Sequence, residues 1–176
     1  MRIINTKIYG LKILKSKKFH DSRGYFREVF KKNIIKNNFV FGCLSKSKKN
    51  VLRGLHLQLK HPQAKFITVL KGKIFDVTVD LRKNSKTFGK SFSTILSANK
   101  PKSIIIPRGC AHGFLGLDNE NIIYYLCDNY RSKKHEISIN WCDKDIAIKW
   151  PTKKPKISVK DKNNLSFEMY KNKFLN

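Results

Sequence analysis

The chain has 176 residues and a hydrophobic content of 40%, which is enough for one globular domain with its own core. Its formal net charge of +26 favours anionic ligands. The lysines are dispersed, however, and accompany no nucleic-acid-binding motif, so we expect no specific nucleic-acid partner. Since the sequence has neither a run of ~18 apolar residues nor a signal-peptide pattern, we expect a cytoplasmic protein with no membrane partner.

Short segments with strand character follow one another from residue 51 onward. They cover residues 51–59, 65–71, 73–81, 91–97, 102–107, 112–117, 121–127 and 136–141. Turn signals lie between them, such as KGK at 71–73 and LDNEN at 117–121. Many short strands at regular spacing predict an all-β sandwich or barrel.

We expect a single domain over residues 1–176, divided into three parts. Residues 1–50 would form an N-terminal arm and strands, 51–141 the barrel core, and 142–176 a C-terminal extension. Helical periodicity is weak except in NNLSFEMYKNKF at 163–174, so the helices should be short and peripheral.

The stretch VLRGLHLQ at 51–58 places polar residues on one face of a predicted strand. Strict alternation puts Gly54, His56 and Gln58 on one face and leucines on the other. A histidine and a glutamine beside a glycine suggest a lined cavity, although this face could also meet solvent. The same alternation turns Arg53 away from His56, unless Gly54 marks a β-bulge.

A second strand, KIFDVTVDL at 73–81, also alternates between polar and apolar residues. Ile74, Asp76, Thr78 and Asp80 should share one face, with apolar side chains on the other. We interpret Asp76 as an inward-facing polar residue, either in a structural hydrogen-bonded network or supporting a functional site.

Arginine is rare in this chain, with seven residues against 31 lysines. Arg23, Arg53 and Arg82 each lie in a dense local pattern. The planar guanidinium can bind phosphate oxygens in a bidentate manner, which lysine cannot do. Each of the three is therefore a phosphate-binding candidate, with a surface position or a structural ion pair as the alternative.

The segment IIIPRGCAHGF at 104–114 has the spacing P-x-G-x-x-H, which resembles the second motif of cupin barrels. Metal-binding cupins carry H-x-H and a later glutamate in their first motif, but here His56 is followed by Gln58. Two imidazoles and a neutral amide make a poor divalent-metal site. The four cysteines form no CxxC pair. We therefore expect a metal-free barrel, no cofactor and reduced thiols.

Seven ordered motifs together resemble the dTDP-4-dehydrorhamnose 3,5-epimerase family. They are FHDSRGYFREVF (19–30), VLRGLHLQ (51–58), QAKFITVLKGKIFDVTVDLR (63–82), TFGK (87–90), IPRGCAHGF (106–114), WCDKDIAIKWP (141–151) and SVKD (158–161). The resemblance implies a double-stranded β-helix, the jelly-roll or cupin barrel, in a homodimer. It also implies cofactor-free epimerisation of a nucleotide-diphosphate 4-keto sugar.

The resemblance also implies roles for individual residues. His56 matches the base, Asp161 its carboxylate partner and Tyr125 the acid, while Lys65 would lie near the keto oxygen. Tyr124 would point to the opposite face of its strand, so the two tyrosines must be told apart by structure. The positions that match substrate contacts are Arg23, Glu28, Arg53, His112, Glu136 and Lys160, with Arg53 the candidate for the diphosphate.

The sequence departs from the family pattern at three positions. Phe41 and Cys43 replace two amides of a Q-x-N element, and Arg131 replaces a tyrosine that stacks on thymine. Arginine can also stack on a base or donate to a purine edge. We count these three residues and Gln58 as substrate-binding candidates. Because sugar specificity depends on hydrogen-bond donors and acceptors, the departures weaken the rhamnose precursor as the substrate.

Our hypothesis is epimerisation at C3, C5 or both in deoxysugar or heptose biosynthesis for a surface polysaccharide, capsule or lipopolysaccharide. The substrate could be a GDP-linked 4-keto heptose. The alternatives are the rhamnose-pathway enzyme proper, a 3,4-ketoisomerase, a nucleotide-sugar binding module, and a nucleic-acid binder driven by the net charge.

Overall fold

Two antiparallel sheets face each other in the computed structural model, which describes residues 1–175. The six-stranded sheet has the order β1-β2-β10-β7-β12-β5, and the five-stranded sheet β13-β6-β11-β8-β9. The strands are β1 (Arg2–Asn5), β2 (Lys12–Lys15), β3 (Lys18–Asp21), β4 (Gly24–Arg27), β5 (Phe41–Ser47), β6 (Leu52–Gln58), β7 (Lys65–Lys71), β8 (Lys73–Asp80), β9 (Ser91–Ser97), β10 (Lys102–Ile106), β11 (Cys110–Gly116), β12 (Asn121–Cys127) and β13 (Glu136–Ser138). The predicted all-β jelly-roll is confirmed.

Strand β8 shows how the sequence divides the inside of the barrel from the outside. Ile74 joins the core cluster between the sheets. Val77 and Val79 instead join a second cluster on the outer face, together with Phe167 of the C-terminal segment. The predicted alternation of this strand is therefore confirmed, and its polar positions face the interior.

The C-terminal extension covers the outer face of the five-stranded sheet. It contains two short helices, α1 (Val159–Lys162) and α2 (Phe167–Phe174), and the hydroxyls of Ser158 and Ser166 accept hydrogen bonds from backbone N–H groups in their first turns. Phe167 of α2 packs into the outer cluster. This packing fixes the path of the chain that carries Asp161 to the barrel.

Arg82 forms a structural ion pair and does not line the main cavity. Its guanidinium donates two hydrogen bonds, of 2.8 and 2.7 Å, to the two oxygens of the buried Asp80. Burial opposes ionisation of Asp80, but Arg82, Ser85 and Thr87 hold its pKa down at about 2. The structural ion pair, rather than phosphate binding, is therefore what the structure supports for Arg82.

Among the residues that the structure describes, no helix has the length and apolar character needed to cross a membrane.

Candidate active site

A cavity of about 730 Å³ opens between the two sheets at one end of the barrel. This volume is in the range of pockets that hold a small organic ligand. Both sheets and the C-terminal extension supply its walls. The lining residues are Phe41, Cys43, Leu44, Ser45, Val51, Leu52, Arg53, His56, Gln63, Lys65, His112, Phe114, Tyr125, Cys127, Arg131, Glu136, Lys156, Ile157, Ser158, Lys160 and Asp161.

His56 and Asp161, which are 105 residues apart, meet in this pocket. The Nε2 of His56 lies 2.7 Å from Oδ1 of the buried Asp161. Burial of Asp161 opposes its ionisation, but the hydrogen bond from His56 lowers its pKa below the ordinary value. Ser158 donates to the other carboxylate oxygen. The pair orients the imidazole and leaves Nδ1 as its second nitrogen for proton transfer.

Arg53 reaches the same pocket because β6 is irregular at Gly54. The pairing of β6 with β11 runs from His56 opposite His112 to Arg53 opposite Phe114, so the register shifts between them. Gly54 has a φ of +131°, and a Cβ there would lie 2.5 Å from the Cα of Gly113. Only glycine fits this position, and the shift brings both Arg53 and His56 to the pocket.

Tyr125 enters the pocket from the opposing sheet. Its hydroxyl lies 3.2 Å from the hydroxyl of Ser45 on the neighbouring strand β5. Burial raises the pKa of Tyr125 above its ordinary value, so the phenol keeps its proton at neutral pH. Tyr124 is absent from the pocket lining, and its strand neighbour Leu126 packs in an outer cluster. Of the two adjacent tyrosines, Tyr125 is thus the one that reaches the pocket.

A second histidine–carboxylate pair lies deeper in the barrel. The Nε2 of His112 is 2.8 Å from Oδ2 of Asp76, and both side chains are buried. His112 lies directly opposite His56 across the β6–β11 pairing. Its ring also lies edge-on to that of Tyr125, with centroids 6.3 Å apart.

Lys65, at the start of β7, adds a cation to the wall that carries Tyr125. Burial lowers the pKa of Lys65, while the nearby Cys127 and Glu136 act in the opposite direction. Its strand neighbours in this wall include Cys127 and, one strand further, Phe41. Cys43 lies opposite Tyr125 in the register of the sheet. The wall therefore combines a lysine and a phenol with apolar groups and thiols.

Glu136 holds two cations at the edge of the pocket. Its carboxylate accepts from Nε of Arg131 at 3.0 Å and also pairs with Lys160. Although burial opposes its ionisation, these two partners lower the pKa of Glu136 to about 2. Arg131 is thereby fixed on one edge of its guanidinium, and its remaining N–H groups are available to a ligand.

Three predicted substrate-binding residues lie outside the pocket of this chain. Gln58 does not line the pocket, because its amide donates to the backbone of His61 and accepts from the backbone of Ser132, which makes it a brace for a loop. Arg23 lies on the β3–β4 hairpin and pairs with Asp21. Glu28 pairs with Lys31, and neither Arg23 nor Glu28 lines the pocket.

Sequence reasoning missed Ser45, Gln63 and Ser158, which all line the pocket. Ser45 could have been found, because every second residue of a strand faces the same way, and Ser45 therefore shares the face of Phe41 and Cys43. Gln63 and Ser158 lie in loops, where no periodicity indicates direction. Within residues 1–175, no three His, Cys, Asp or Glu side chains cluster in a way that could hold a metal ion.

The arrangement places proton-transfer groups on opposite sides of one cavity. An imidazole oriented by a carboxylate stands on one sheet, and a protonated phenol stands on the other. A lysine lies on the wall beside the phenol. Such a set can remove a proton from one face of a ligand, stabilise the resulting anion and return a proton to the other face.

A family model described as dTDP-4-dehydrorhamnose 3,5-epimerase matches residues 5–169. The chain belongs to this family. It is 42% identical over 174 residues to the dTDP-4-dehydrorhamnose 3,5-epimerase of Shigella flexneri, covering 95% of this chain and 96% of the relative.

Solved structures of this family superpose closely on the chain. One is a dTDP-6-deoxy-D-glucose-3,5-epimerase from Legionella pneumophila in complex with dTDP-4-keto-L-rhamnose, with 39% identity, a TM-score of 0.89 and coverage of 93% and 90% of the two chains. Another is a 4-keto-6-deoxy sugar epimerase from the novobiocin biosynthetic gene cluster of Streptomyces spheroides, with 28% identity, a TM-score of 0.93 and coverage of 98% and 90%. The resemblance inferred from the ordered sequence motifs is confirmed.

Proposed function

We propose that this enzyme inverts C3, C5 or both in a nucleotide-diphosphate 4-keto sugar, without a cofactor. The observation that carries the proposal is the position of His56 and Tyr125, which face one cavity from opposite sheets. The names of the family members support it, because they describe epimerases of 4-keto sugars.

The chemistry follows from the acidity of a carbon next to a ketone. His56 accepts the proton from C3 or C5 at Nδ1, and the electron pair of the C–H bond becomes an enolate whose oxygen lies at C4. Lys65 stabilises that oxygen. Tyr125 then donates its proton to the opposite face of the same carbon, which inverts the centre.

Our proposal for the nucleotide and the sugar rests on the residues that depart from the family pattern. We propose a GDP-linked 4-keto heptose as substrate, because the free edge of Arg131 offers the paired donors that fit the O6 and N7 acceptors of guanine. Phe41 and Cys43 line the pocket at positions where the family pattern has two amide side chains. The loss of those hydrogen-bonding groups favours a sugar other than the rhamnose precursor. Such a sugar would serve surface-polysaccharide biosynthesis, in the capsule or lipopolysaccharide.

Free cysteines throughout the chain support a cytoplasmic location.

The substrate test is a solvent-exchange assay with dTDP- and GDP-linked 4-keto sugars, as both hexoses and heptoses. In deuterated water, the enzyme should incorporate deuterium at C3 or C5 of at least one of them, with inversion seen by NMR. The GDP-linked heptose should react with the highest kcat/KM, and Arg131→Tyr should shift the preference towards dTDP. A 3,4-ketoisomerase would move the carbonyl, and a binding module would leave every substrate undeuterated. Either result would reject the epimerase.

We further propose a homodimer, in which the β3–β4 hairpin packs on a second copy. Phe19, Tyr25 and Phe26 on this hairpin are 55, 53 and 66% exposed, which is unusual for adjacent aromatic side chains. The side chain of Arg23 at its tip is 88% exposed and does not line the pocket of its own chain. In a dimer, Arg23 and Glu28 would regain the substrate contacts that the family resemblance implies.

Mixing two inactive variants tests this dimer. Arg23→Ala and His56→Asn should each have little activity alone, but a mixture refolded together should regain about a quarter of the wild-type activity. In the mixed dimer, the subunit with an intact His56 would receive Arg23 from its partner. Sedimentation velocity should give twice the mass of 20.5 kDa for the wild type and a monomer for Phe26→Asp. A monomeric wild type, or no recovery on mixing, would contradict the proposal.

A further inference from the structure

Each inversion leaves the two proton-transfer groups in the wrong state for the next one. His56 has gained the proton from carbon, and Tyr125 has lost its own to the opposite face. Before a second inversion, one proton must leave His56 and one must reach Tyr125. Since burial raises the pKa of Tyr125, its anion is a strong base that readily takes a proton from a neighbouring acid.

His112 is adjacent to each of these two groups in the fold. It is the direct cross-strand neighbour of His56 on the same face of the sheet. Its ring meets the ring of Tyr125 edge-on, at 6.3 Å between centroids and 72° between planes. One imidazole is therefore adjacent to both His56 and Tyr125, and a water can carry a proton between polar groups that do not touch directly.

The surroundings of His112 are suited to a transient positive charge. Oδ2 of Asp76 lies 2.8 Å from Nε2 of His112, and Oδ1 of Asp76 is buried without a hydrogen-bond partner. The hydroxyl of Thr78, directly across the β8–β11 pairing from His112, is also buried and unpartnered. A carboxylate with spare acceptor capacity stabilises an imidazolium while the proton passes through it.

We propose that His112 returns the proton from His56 to Tyr125 between inversions. Because Nε2 of His112 is held by Asp76, Nδ1 of His112 accepts the proton that leaves Nδ1 of His56, and the same nitrogen then gives it to the phenolate oxygen of Tyr125. Both groups regain their starting states, and no proton is gained from or lost to an external acid. The inference rests on the proposed function, since it needs His56 as base and Tyr125 as acid.

The relay predicts that loss of His112 slows turnover more than the first inversion. For His112→Ala, rapid-quench kinetics should show a burst of one inversion per site at a rate close to that of the wild type. A steady state about 10²-fold slower should follow, the size expected for a lost proton-transfer group. Added imidazole should fill the space left by the ring and accelerate the slow phase at least about fivefold, without changing KM.

Two further variants separate the relay from a purely structural role. His112→Phe keeps a ring but has no nitrogen, so it should lose turnover and fail to respond to imidazole. His135→Ala, outside the pocket, should match the wild type with and without imidazole. Equal loss of burst and steady state, or a slow phase insensitive to imidazole in His112→Ala, would overturn the relay. Absence of exchange in the wild type would instead reject the proposed function.

Discussion

Replacement of His56 by asparagine is expected to lower the rate of solvent deuterium incorporation by about 10³-fold or more, because it removes the general base. Asparagine retains a polar side chain of similar width but has no nitrogen that can accept a proton at neutral pH. The asparagine amide ends near the position of Nδ1, so the Nε2 hydrogen bond to Asp161 is lost together with the base, while Ser158 still donates to Asp161 and keeps that carboxylate in place. NMR of the substrate in deuterated water measures the loss directly.

Asp161→Asn tests the partner of the base and not the base itself. The imidazole would remain, but it would lose the carboxylate that fixes its orientation and stabilises its protonated form. We therefore expect a smaller loss than for His56→Asn, with a larger change in kcat than in KM. Asp118→Asn is a matched control, since Asp118 forms only a 3.7 Å surface ion pair with Lys73. If His56→Asn kept full exchange, another residue would be the base.

The strands of the barrel could be predicted closely, since their alternation follows from burial of one face. The predicted runs 65–71, 91–97 and 121–127 match β7, β9 and β12 to the residue. The last run, 136–141, is longer than the strand β13, which ends at Ser138. The next residue, Ile139, still exchanges backbone hydrogen bonds with Leu55 of β6 and bridges to Leu165 on its other side. The strands before residue 50 could not be bounded, because their short exposed segments carry little alternation.

The candidate site was harder to predict, because its geometry depends on contacts between distant segments. Alternation alone puts Gln58 on the face of His56 and turns Arg53 away, yet the pocket holds Arg53 and excludes Gln58. The register shift at Gly54, which the close approach of Gly113 imposes, accounts for Arg53. Hydrogen bonds to His61 and Ser132 hold the amide of Gln58 in the loop. A single strand cannot reveal a partner that lies more than fifty residues away.

The rarity of arginine in this chain was only a partial guide to function, because a bidentate guanidinium is useful both in a structural ion pair and in ligand binding. Arg53 lines the pocket and also donates from Nε to Ser47. Arg82 instead closes a buried cluster around Asp80. The difference between the two arginines is that Arg82 has a partner carboxylate, Asp80, two residues earlier in its own segment. The pattern LRKNSKT after a polar-faced strand is therefore better interpreted as a structural brace.

Tyr125→Phe is expected to separate exchange from inversion. The variant keeps His56, which can still remove the proton and return a deuteron to the same face of the carbon. It lacks the hydroxyl that protonates the opposite face, so inversion should fall by about 10²-fold or more, while exchange falls much less. The ring itself stays in place against His112.

Two controls make this expectation specific to the hydroxyl of Tyr125. Tyr124→Phe removes the neighbouring hydroxyl, which lies outside the pocket, and should leave both exchange and inversion unchanged. Ser45→Ala removes the hydroxyl 3.2 Å from that of Tyr125 and should slow inversion only modestly, because the acid itself remains. The measurement is NMR of the deuterated sugar, in which retained and inverted products differ in ring coupling constants. Intact inversion in Tyr125→Phe would mean that the proton reaches the second face from another donor. His112 would then be the first to test, since its ring lies edge-on to that of Tyr125.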